Sequence, residues 1–203
     1  NGIRMLSQAI EMDLGFTDAQ RALGQAYLDA GDLEGAVLHL QTADMQVPNH
    51  SPTVEALTSA SLRLRERRAG RIAELRRLAE AAPTDLDAEL AYVRALCDVD
   101  QREQALARFA EREAIFGRAI EWQHEYAVTL VLLDRRDPAI ERYRQALQLK
   151  PDNPTIAVEL AMLLLERRSP GDLESVGGLC HRALAAAPND PSAHVCRAEQ
   201  SAL

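Results

Sequence analysis

Apolar residues recur along most of this chain at the three- and four-residue spacing that is typical of one face of an α-helix. Leu23 and Tyr27 are followed, after a short break, by Ala36 and Leu40, and similar pairs return further along the sequence. This spacing places the apolar side chains on a single helix face. β-branched residues nowhere alternate with polar residues for long, which argues against strands. The pattern predicts an all-α protein.

Proline and glycine mark where these helices end. Pro48, Pro83, Pro151 and Pro188 each follow an apolar helical stretch. Successive prolines of this set are separated by about one, two and one periods of roughly 34 residues. Each proline precedes a helix-start signal, so each period should hold two helices with a break between them. Breaks are predicted near residues 15, 31, 49, 69, 84, 100, 117, 135, 151, 170 and 189.

The unit from Thr17 to His50 has the residue pattern of a known repeat. It contains Leu23-Gly24, Tyr27, Gly31-Asp32, Ala36, Leu40, Ala43 and Pro48. This pattern resembles the tetratricopeptide repeat, which has large apolar, Leu-Gly, Tyr, Ala and Pro positions at fixed offsets. The same frame returns in residues 86–119, 120–153 and 154–190. Residues 51–85 are the most degenerate copy, because Thr58 and Ser61 stand where Gly and Tyr would.

The resemblance implies a right-handed superhelical solenoid of antiparallel helix hairpins, with residues 1–203 as a single domain. It would comprise about five hairpins and a partial repeat at each end. The predicted units are 1–16, 17–50, 51–85, 86–119, 120–153, 154–190 and 191–203. The first partial repeat is expected to bury Ile3, Leu6 and Ile10, and the last is expected to pack through Val195 and Ala198.

Charge and hydropathy narrow the partners. The net charge is −8, and a nucleic-acid-binding protein usually carries a basic face, so we expect a protein or peptide partner and no nucleic acid. No apolar run has the roughly 18 residues that a membrane span needs. Lys150 is the only lysine among many arginines, which is typical of a bacterial genome. The sequence does not decide between the cytoplasm, which is slightly favoured, and the periplasm.

Catalytic and metal-binding motifs are absent from the sequence. No nucleotide-binding, metalloprotease or serine-hydrolase motif occurs, and the five histidines are dispersed. We therefore expect no enzyme activity, cofactor or metal. Cys97, Cys180 and Cys196 have no metal-ligand spacing and are interpreted as three small buried side chains. A Cys180–Cys196 bridge is the alternative if the protein is exported.

Other features of the sequence can each be interpreted in two ways. Trp122 lies in one apolar stripe with Tyr126 and Leu130, which favours a place in the core over a ligand platform. The arginine-rich segment 63–77 favours a solvated helix face over a contact for an acidic partner. Gly177-Gly178 lies inside a predicted helix, and either a neighbour packs very close to it or the last hairpin is loose.

The first helix of each hairpin lines a concave groove in tetratricopeptide arrays. The resemblance therefore implies a protein–protein interaction scaffold that binds a peptide or helix of a partner in that groove. It nominates as groove residues Arg21, Gln25, Leu28, Leu62, Arg63, Leu90, Arg94, His124 and Met162. Four of these are expected to be partly exposed: Leu28, Leu62, Leu90 and Arg94. The alternatives are a module that self-assembles through its terminal helices, and the non-catalytic repeat region of a larger transferase-type enzyme.

Overall fold

A computed structural model describes residues 3–5, 7 and 17–201 of the protein, and helices joined by short turns make up residues 17–201. The helices are α1 (Thr17–Ala30), α2 (Leu33–Gln46), α3 (Ser51–Ala81), α4 (Leu86–Asp98), α5 (Arg102–Phe116), α6 (Ile120–Leu132), α7 (Arg136–Leu149), α8 (Pro154–Arg167), α9 (Asp172–Ala186) and α10 (Pro191–Ser201). No strand occurs in these ranges. The prediction of an all-α hairpin fold is confirmed.

The chain divides into two compact units, Asn1–Ala73 and Glu74–Leu203. In the first unit, α1 and α2 form a hairpin whose helices approach closely at Gly24. A Cβ atom at this glycine would lie 2.6 Å from Cγ of Leu40, so the close approach requires the missing side chain. Leu23 is buried in a cluster that also contacts Ile3, as predicted for that residue. The predicted contacts of Leu6 and Ile10 lie outside the described residues.

The second unit contains three hairpins, α4/α5, α6/α7 and α8/α9, followed by α10. An aromatic cluster joins the first two hairpins. The Trp122 ring lies 4.6 Å from the Phe109 ring and 5.0 Å from the Phe116 ring, and Tyr126 stacks on Phe109 at 4.7 Å. Trp122 is fully buried, which confirms its predicted place in the core. Burying such large aromatic side chains is a main source of stability for a helical unit.

The turn inside each hairpin contains a residue with positive φ. These residues are Gly31, Asp100, Asp134 and, in the last hairpin, Arg168 and Gly171. A residue in this conformation ends a helix by turning the chain away from its axis. Helices end and begin near residues 31, 49, 84, 100, 117, 135, 151, 170 and 189, which confirms those predicted breaks. The break predicted near residue 15 lies outside the described residues.

The break predicted near residue 69 is wrong, because α3 continues from Ser51 to Ala81. Gly70 does not adopt positive φ, unlike Gly31. The residues that follow it, Arg-Ile-Ala-Glu, also lack the short polar side chain that starts a helix. Residues 51–85 therefore do not form a hairpin, and the described residues contain four hairpins where the sequence predicts five. None of the helices there is both long and apolar enough to cross a membrane.

The cysteine prediction needs correction as well. Cys180 on α9 and Cys196 on α10 form a disulfide with a Cα–Cα distance of 5.7 Å, whereas Cys97 is free and half-buried. The bridge turns Ala193 and Cys196 inward on α10, and both are fully buried. Val195 is consequently 49% exposed, and Ala198 is also exposed, so the packing predicted through these two residues is wrong.

Candidate functional site

The first helices of the three hairpins in the second unit present a connected set of polar side chains. The surface called here the α4–α6–α8 face comprises these polar residues, Arg94, His124, Glu125 and Glu159, together with the half-buried Met162 of α8. Arg94 donates to Glu125 Oε1 through Nε at 2.8 Å and through Nη2 at 2.5 Å. His124 Nε2 lies 2.6 Å from Glu159 Oε2. Each pair links residues of neighbouring repeats, so the predicted candidates Arg94 and His124 belong to one surface.

The ion pairs set the charge state of this face. The hydrogen bond to Glu159, and then the negative charges of Glu159 and Glu125, raise the pKa of His124, although partial burial opposes the shift. Behind it, burial first and the negative charge of Glu159 second raise the pKa of Tyr143 far above its usual range. The surroundings therefore favour the protonated form of His124 more than water does, and they favour the neutral phenol of Tyr143.

Cys97 lies beside this face but has no sign of an activated thiol. Its Sγ atom is 3.6 Å from Oγ1 of Thr129 on α6. Burial raises the pKa of the Cys97 thiol, whereas a reactive cysteine needs a lowered pKa. In the described part of the chain, no group of three or more His, Cys, Asp or Glu side chains is placed to hold a metal ion.

Leu90 does not belong to this surface, although the sequence nominated it. The side chain is only 3% exposed and lies in the core stripe of α4 with Val93 and Leu96. These residues follow the spacing of one helix face, and Arg94 and Ala91 lie outside it. Arg94 is exposed, as predicted. The expectation that Leu90 stays partly exposed is therefore wrong, because the core stripe of this helix includes the position.

In the first unit, Arg21 and Gln25 of α1 are both engaged by neighbours. Arg21 donates to Asp18 at 2.7 Å and to Oγ1 of the buried Thr53 on α3 at 2.8 Å. Gln25 donates to Asp29 at 2.8 Å. These contacts hold Arg21 between α1 and α3, and they hold Gln25 along the surface of α1.

Three further candidates of the first unit differ in exposure. Leu28 is half-buried against the cluster formed by α2 and α3, as predicted for a partly exposed residue. Leu62 is 55% exposed, and Arg63 is exposed without a hydrogen bond or ion pair to any described residue. The nearby Arg67 and Arg68 reach back to the α1/α2 hairpin, at the Gly31 carbonyl and Glu34. The arginine-rich segment is thus mainly a solvated face, as the sequence favours.

A buried ion-pair cluster in the α4/α5 hairpin was not predicted from the sequence. Glu89 is fully buried and accepts from Arg108 at 2.6 and 2.9 Å and from Arg112 at 2.9 Å. Arg112 also donates to the Pro83 carbonyl at 3.0 Å. Ala43 and Ala146 occupy the position equivalent to Arg112 in two other repeats, and Arg112 instead supplies one of the partners that the buried carboxylate needs. The departure from the pattern at Arg112 was the available signal.

A second polar cluster joins α5, α6 and α7. Arg142 donates to Glu113 at 2.6 Å and to the buried Gln123 at 3.1 Å, and its guanidinium lies 4.1 Å from the Tyr126 ring centre. Gln123 in turn donates to the Gly117 carbonyl at 2.8 Å. The cluster satisfies the Gly117 carbonyl and the buried Gln123 amide at the turn between two hairpins and so helps to fix how the hairpins pack.

Comparisons with known proteins find this repeat at the start of the chain and a similar fold over most of it. Residues 1–60 match a family model described as tetratricopeptide repeat. YrrB, a protein with this repeat and an unusual peptide-binding site, superposes with a TM-score of 0.54 at 11% identity over 95% of this chain and 97% of its own. A thermophilic protein of the same kind from Thermus thermophilus gives a TM-score of 0.55 at 23% identity over 92% of this chain and 100% of its own.

A larger assembly contains the same fold. A chain of the APC/C hetero-tetramer Cut9–Hcn1 superposes with a TM-score of 0.53 at 17% identity. The match covers 98% of the present chain and 39% of the chain from the assembly. No curated protein matches the sequence. At these identities the likeness establishes the fold, and the predicted resemblance to tetratricopeptide repeats is confirmed.

Proposed function

Since this chain folds as a tetratricopeptide repeat protein, we propose that it acts as a non-catalytic scaffold that binds a peptide or helix of a partner protein. The α4–α6–α8 face is the surface that supports this best. Its charged side chains are the exposed Arg94 and the partly exposed Glu125 and Glu159. Aliphatic side chains lie beside them at the end of α6, where Leu132 is 53% exposed and Val131 is also exposed. A surface of this kind suits a peptide with apolar anchors and charged flanks.

The charge of the face gives the partner a sign. Glu121, Glu125 and Glu159 lie on or beside it, and Arg94 is the cation paired there with Glu125. Carboxylates therefore outnumber the permanent cations, and a peptide with basic residues next to apolar ones is the best complement. The single observation that carries this proposal is that Arg94 and His124 hold the partly exposed carboxylates of Glu125 and Glu159 in fixed positions across neighbouring helices.

Two labelled peptides of equal length test the proposal by fluorescence anisotropy. One combines leucines with lysines, and the other combines leucines with glutamates. The lysine peptide should bind, and Glu159→Lys should weaken its binding about tenfold, which corresponds to about 1.4 kcal/mol. Glu174→Lys is the matched control, because Glu174 is an exposed carboxylate on α9 away from this face. Equal weakening by both variants, or no binding of the lysine peptide, would contradict the proposal.

A natural partner can then be identified by affinity capture and mass spectrometry. A protein that binds this face should be captured by the wild-type chain and by Glu174→Lys, and it should be lost with Glu159→Lys. The candidates of the first unit stay predictions, and comparing capture by the wild-type chain with capture by variants of these residues can test them. They are Arg21, Gln25, Leu28, Leu62 and Arg63. Self-association, the alternative predicted from the sequence, is tested by light scattering at several protein concentrations.

A further inference from the structure

A groove of about 640 Å³ lies between α7 and α9 in the second unit, with α8 as its base. Its floor consists of leucine side chains from all three helices, Leu147, Leu160, Leu164 and Leu179. A volume of this size is within the range of pockets that bind ligands, and such pockets are mostly apolar with a few polar groups.

The groove is separate from the α4–α6–α8 face. Successive residues of a helix are about 100° apart, so Leu160 and Leu164 lie on one side of α8 and Met162 lies roughly opposite them. Leu160 and Leu164 line the groove, whereas Met162 and Glu159 belong to the α4–α6–α8 face. A ligand in the groove would therefore leave that face free.

Gly178 contributes to the width of the groove. It lies in the middle of α9, where glycine destabilises a helix by roughly 1 kcal/mol relative to alanine. No atom lies within 4 Å of the position that its Cβ would occupy, so no close approach of a neighbour explains this glycine. For Gly178, this rules out the close-packing interpretation of Gly177-Gly178 raised by the sequence. The missing side chain instead leaves open space at the groove wall.

The rim of the groove is basic. Arg182 and His181 are exposed and have no hydrogen bond or ion pair to another residue in the described part of the chain. Arg144 also lines the groove and donates to the exposed Glu141 at 2.6 Å, a contact that solvent screens. A guanidinium without a partner beside an apolar floor is complementary to a carboxylate that is attached to an apolar group.

We propose that this groove binds a peptide segment in which leucine-sized side chains alternate with acidic ones or lie next to them. The apolar side chains would lie on the leucine floor, and a carboxylate would pair with Arg182. The Gln148 amide and the Ser175 hydroxyl also line the groove. The Ser175 hydroxyl donates to the Gly171 carbonyl at 3.2 Å and can accept from a peptide N–H, and the Gln148 amide can both donate to and accept from peptide backbone groups. These two polar groups favour a peptide over a simple fatty acid, which has no backbone to bind.

The leucine–glutamate peptide described above is the probe for this groove. It should bind the wild-type chain, and Arg182→Glu should weaken binding about tenfold or more, since a favourable charge pair becomes a repulsive one. Arg118→Glu is the matched control, because Arg118 is exposed and has no partner among the described residues of its unit. Gly178→Leu should also weaken binding by filling the groove, whereas Gly178→Ala should leave binding within about twofold, because its Cβ meets no other atom.

The outcomes separate this groove from the α4–α6–α8 face. Glu159→Lys should leave the affinity for the leucine–glutamate peptide unchanged, and Arg182→Glu should leave the affinity for the lysine peptide unchanged. If the experiment with one peptide and its variant contradicts one proposal, the other proposal therefore still stands. The groove proposal is overturned if the leucine–glutamate peptide does not bind, or if Arg182→Glu and Arg118→Glu affect it equally. Binding of dodecanoate without binding of the peptide would also overturn it, and would assign the groove to a free anionic amphiphile.

Discussion

Residues 51–81 and residues 120–149 occupy comparable stretches of the repeat pattern but fold differently. The first stretch is one continuous helix, α3, and the second is the hairpin α6/α7. In the hairpin, Asp134 adopts a φ of 54°, and the Arg135 amide donates to the Leu130 carbonyl at 2.9 Å. Nothing equivalent interrupts α3 at Gly70. The difference shows that a glycine alone does not end a helix when strong helix formers follow it.

Burial follows from this difference. The hairpin buries Trp122, Ile140 and Tyr143 between its helices and their neighbours. In α3, by contrast, no residue from 65 to 78 is buried. A hairpin supplies its own second helix to cover an apolar face, whereas a single straight helix leaves that face without this partner. Stability should therefore depend much more on side chains of the hairpin than on side chains of the exposed part of α3.

The largest expected effect comes from removing the central side chain of the hairpin. Trp122→Ala should lower the free energy of unfolding by about 3–5 kcal/mol, because it leaves a cavity in a packed core. Leu62→Ala on α3 should change it by less than about 0.5 kcal/mol, since Leu62 is exposed. Urea denaturation followed by circular dichroism measures both. Similar losses in the two variants would mean that α3 is covered in solution.

The next effect concerns the helices that a disulfide joins. Reducing the Cys180–Cys196 bridge, which closes a loop with a sequence separation of 16, should lower the stability of the second unit by about 3 kcal/mol. Cys180→Ser should show the same loss without reductant. Cys97→Ser provides the control for a free cysteine. If reductant leaves the denaturation midpoint of the wild-type chain unchanged, α9 and α10 are held by packing alone.

Opposite signs are expected for two glycine substitutions. Gly31→Ala should lower the free energy of unfolding by about 1–2 kcal/mol, because Gly31 has a φ of +80° in its turn. Gly70→Ala should instead raise it by about 0.5–1 kcal/mol, since Gly70 is inside a helix and its Cβ would meet no atom within 4 Å. Thermal denaturation of the two variants gives the comparison. A destabilised Gly70→Ala would indicate a turn at Gly70 in solution.

The smallest effect is a difference in pH dependence between two histidines. The hydrogen bond to Glu159 raises the pKa of His124, so its stabilising contribution is present below about pH 6.5 and is lost as the pH rises through the raised pKa. Burial lowers the pKa of His39, so its contribution is present above about pH 6.5 and is lost as the pH falls towards the lowered pKa. An NMR titration of the histidine ring protons should give a higher pKa for His124 than for His39, and a lower pKa for His124 would refute both assignments.

Several features of the α4–α6–α8 face could be predicted from the sequence, and others could not. The repeat frame placed Arg94, His124 and Met162 on first helices, and the structure places all three there. It gave no information about Glu125 and Glu159, which pair with two of them from a neighbouring repeat. Contacts between residues more than 30 positions apart depend on how helices pack. Leu90 was misassigned because one position around a helix separates core from surface, and only the packing of neighbouring helices decides where that boundary lies.

Local signals in the sequence determined most of the secondary structure. Gly31-Asp32 is an example, because the glycine adopts positive φ and Asp32 accepts a hydrogen bond from the Gly35 amide at 2.9 Å to start α2. Such caps involve only neighbouring residues, so the sequence contains all the information that they need. Tertiary packing alone decided which distant side chains meet. It brought Cys180 to Cys196 and placed Glu89 between Arg108 and Arg112, because burial and charge pairing act between helices.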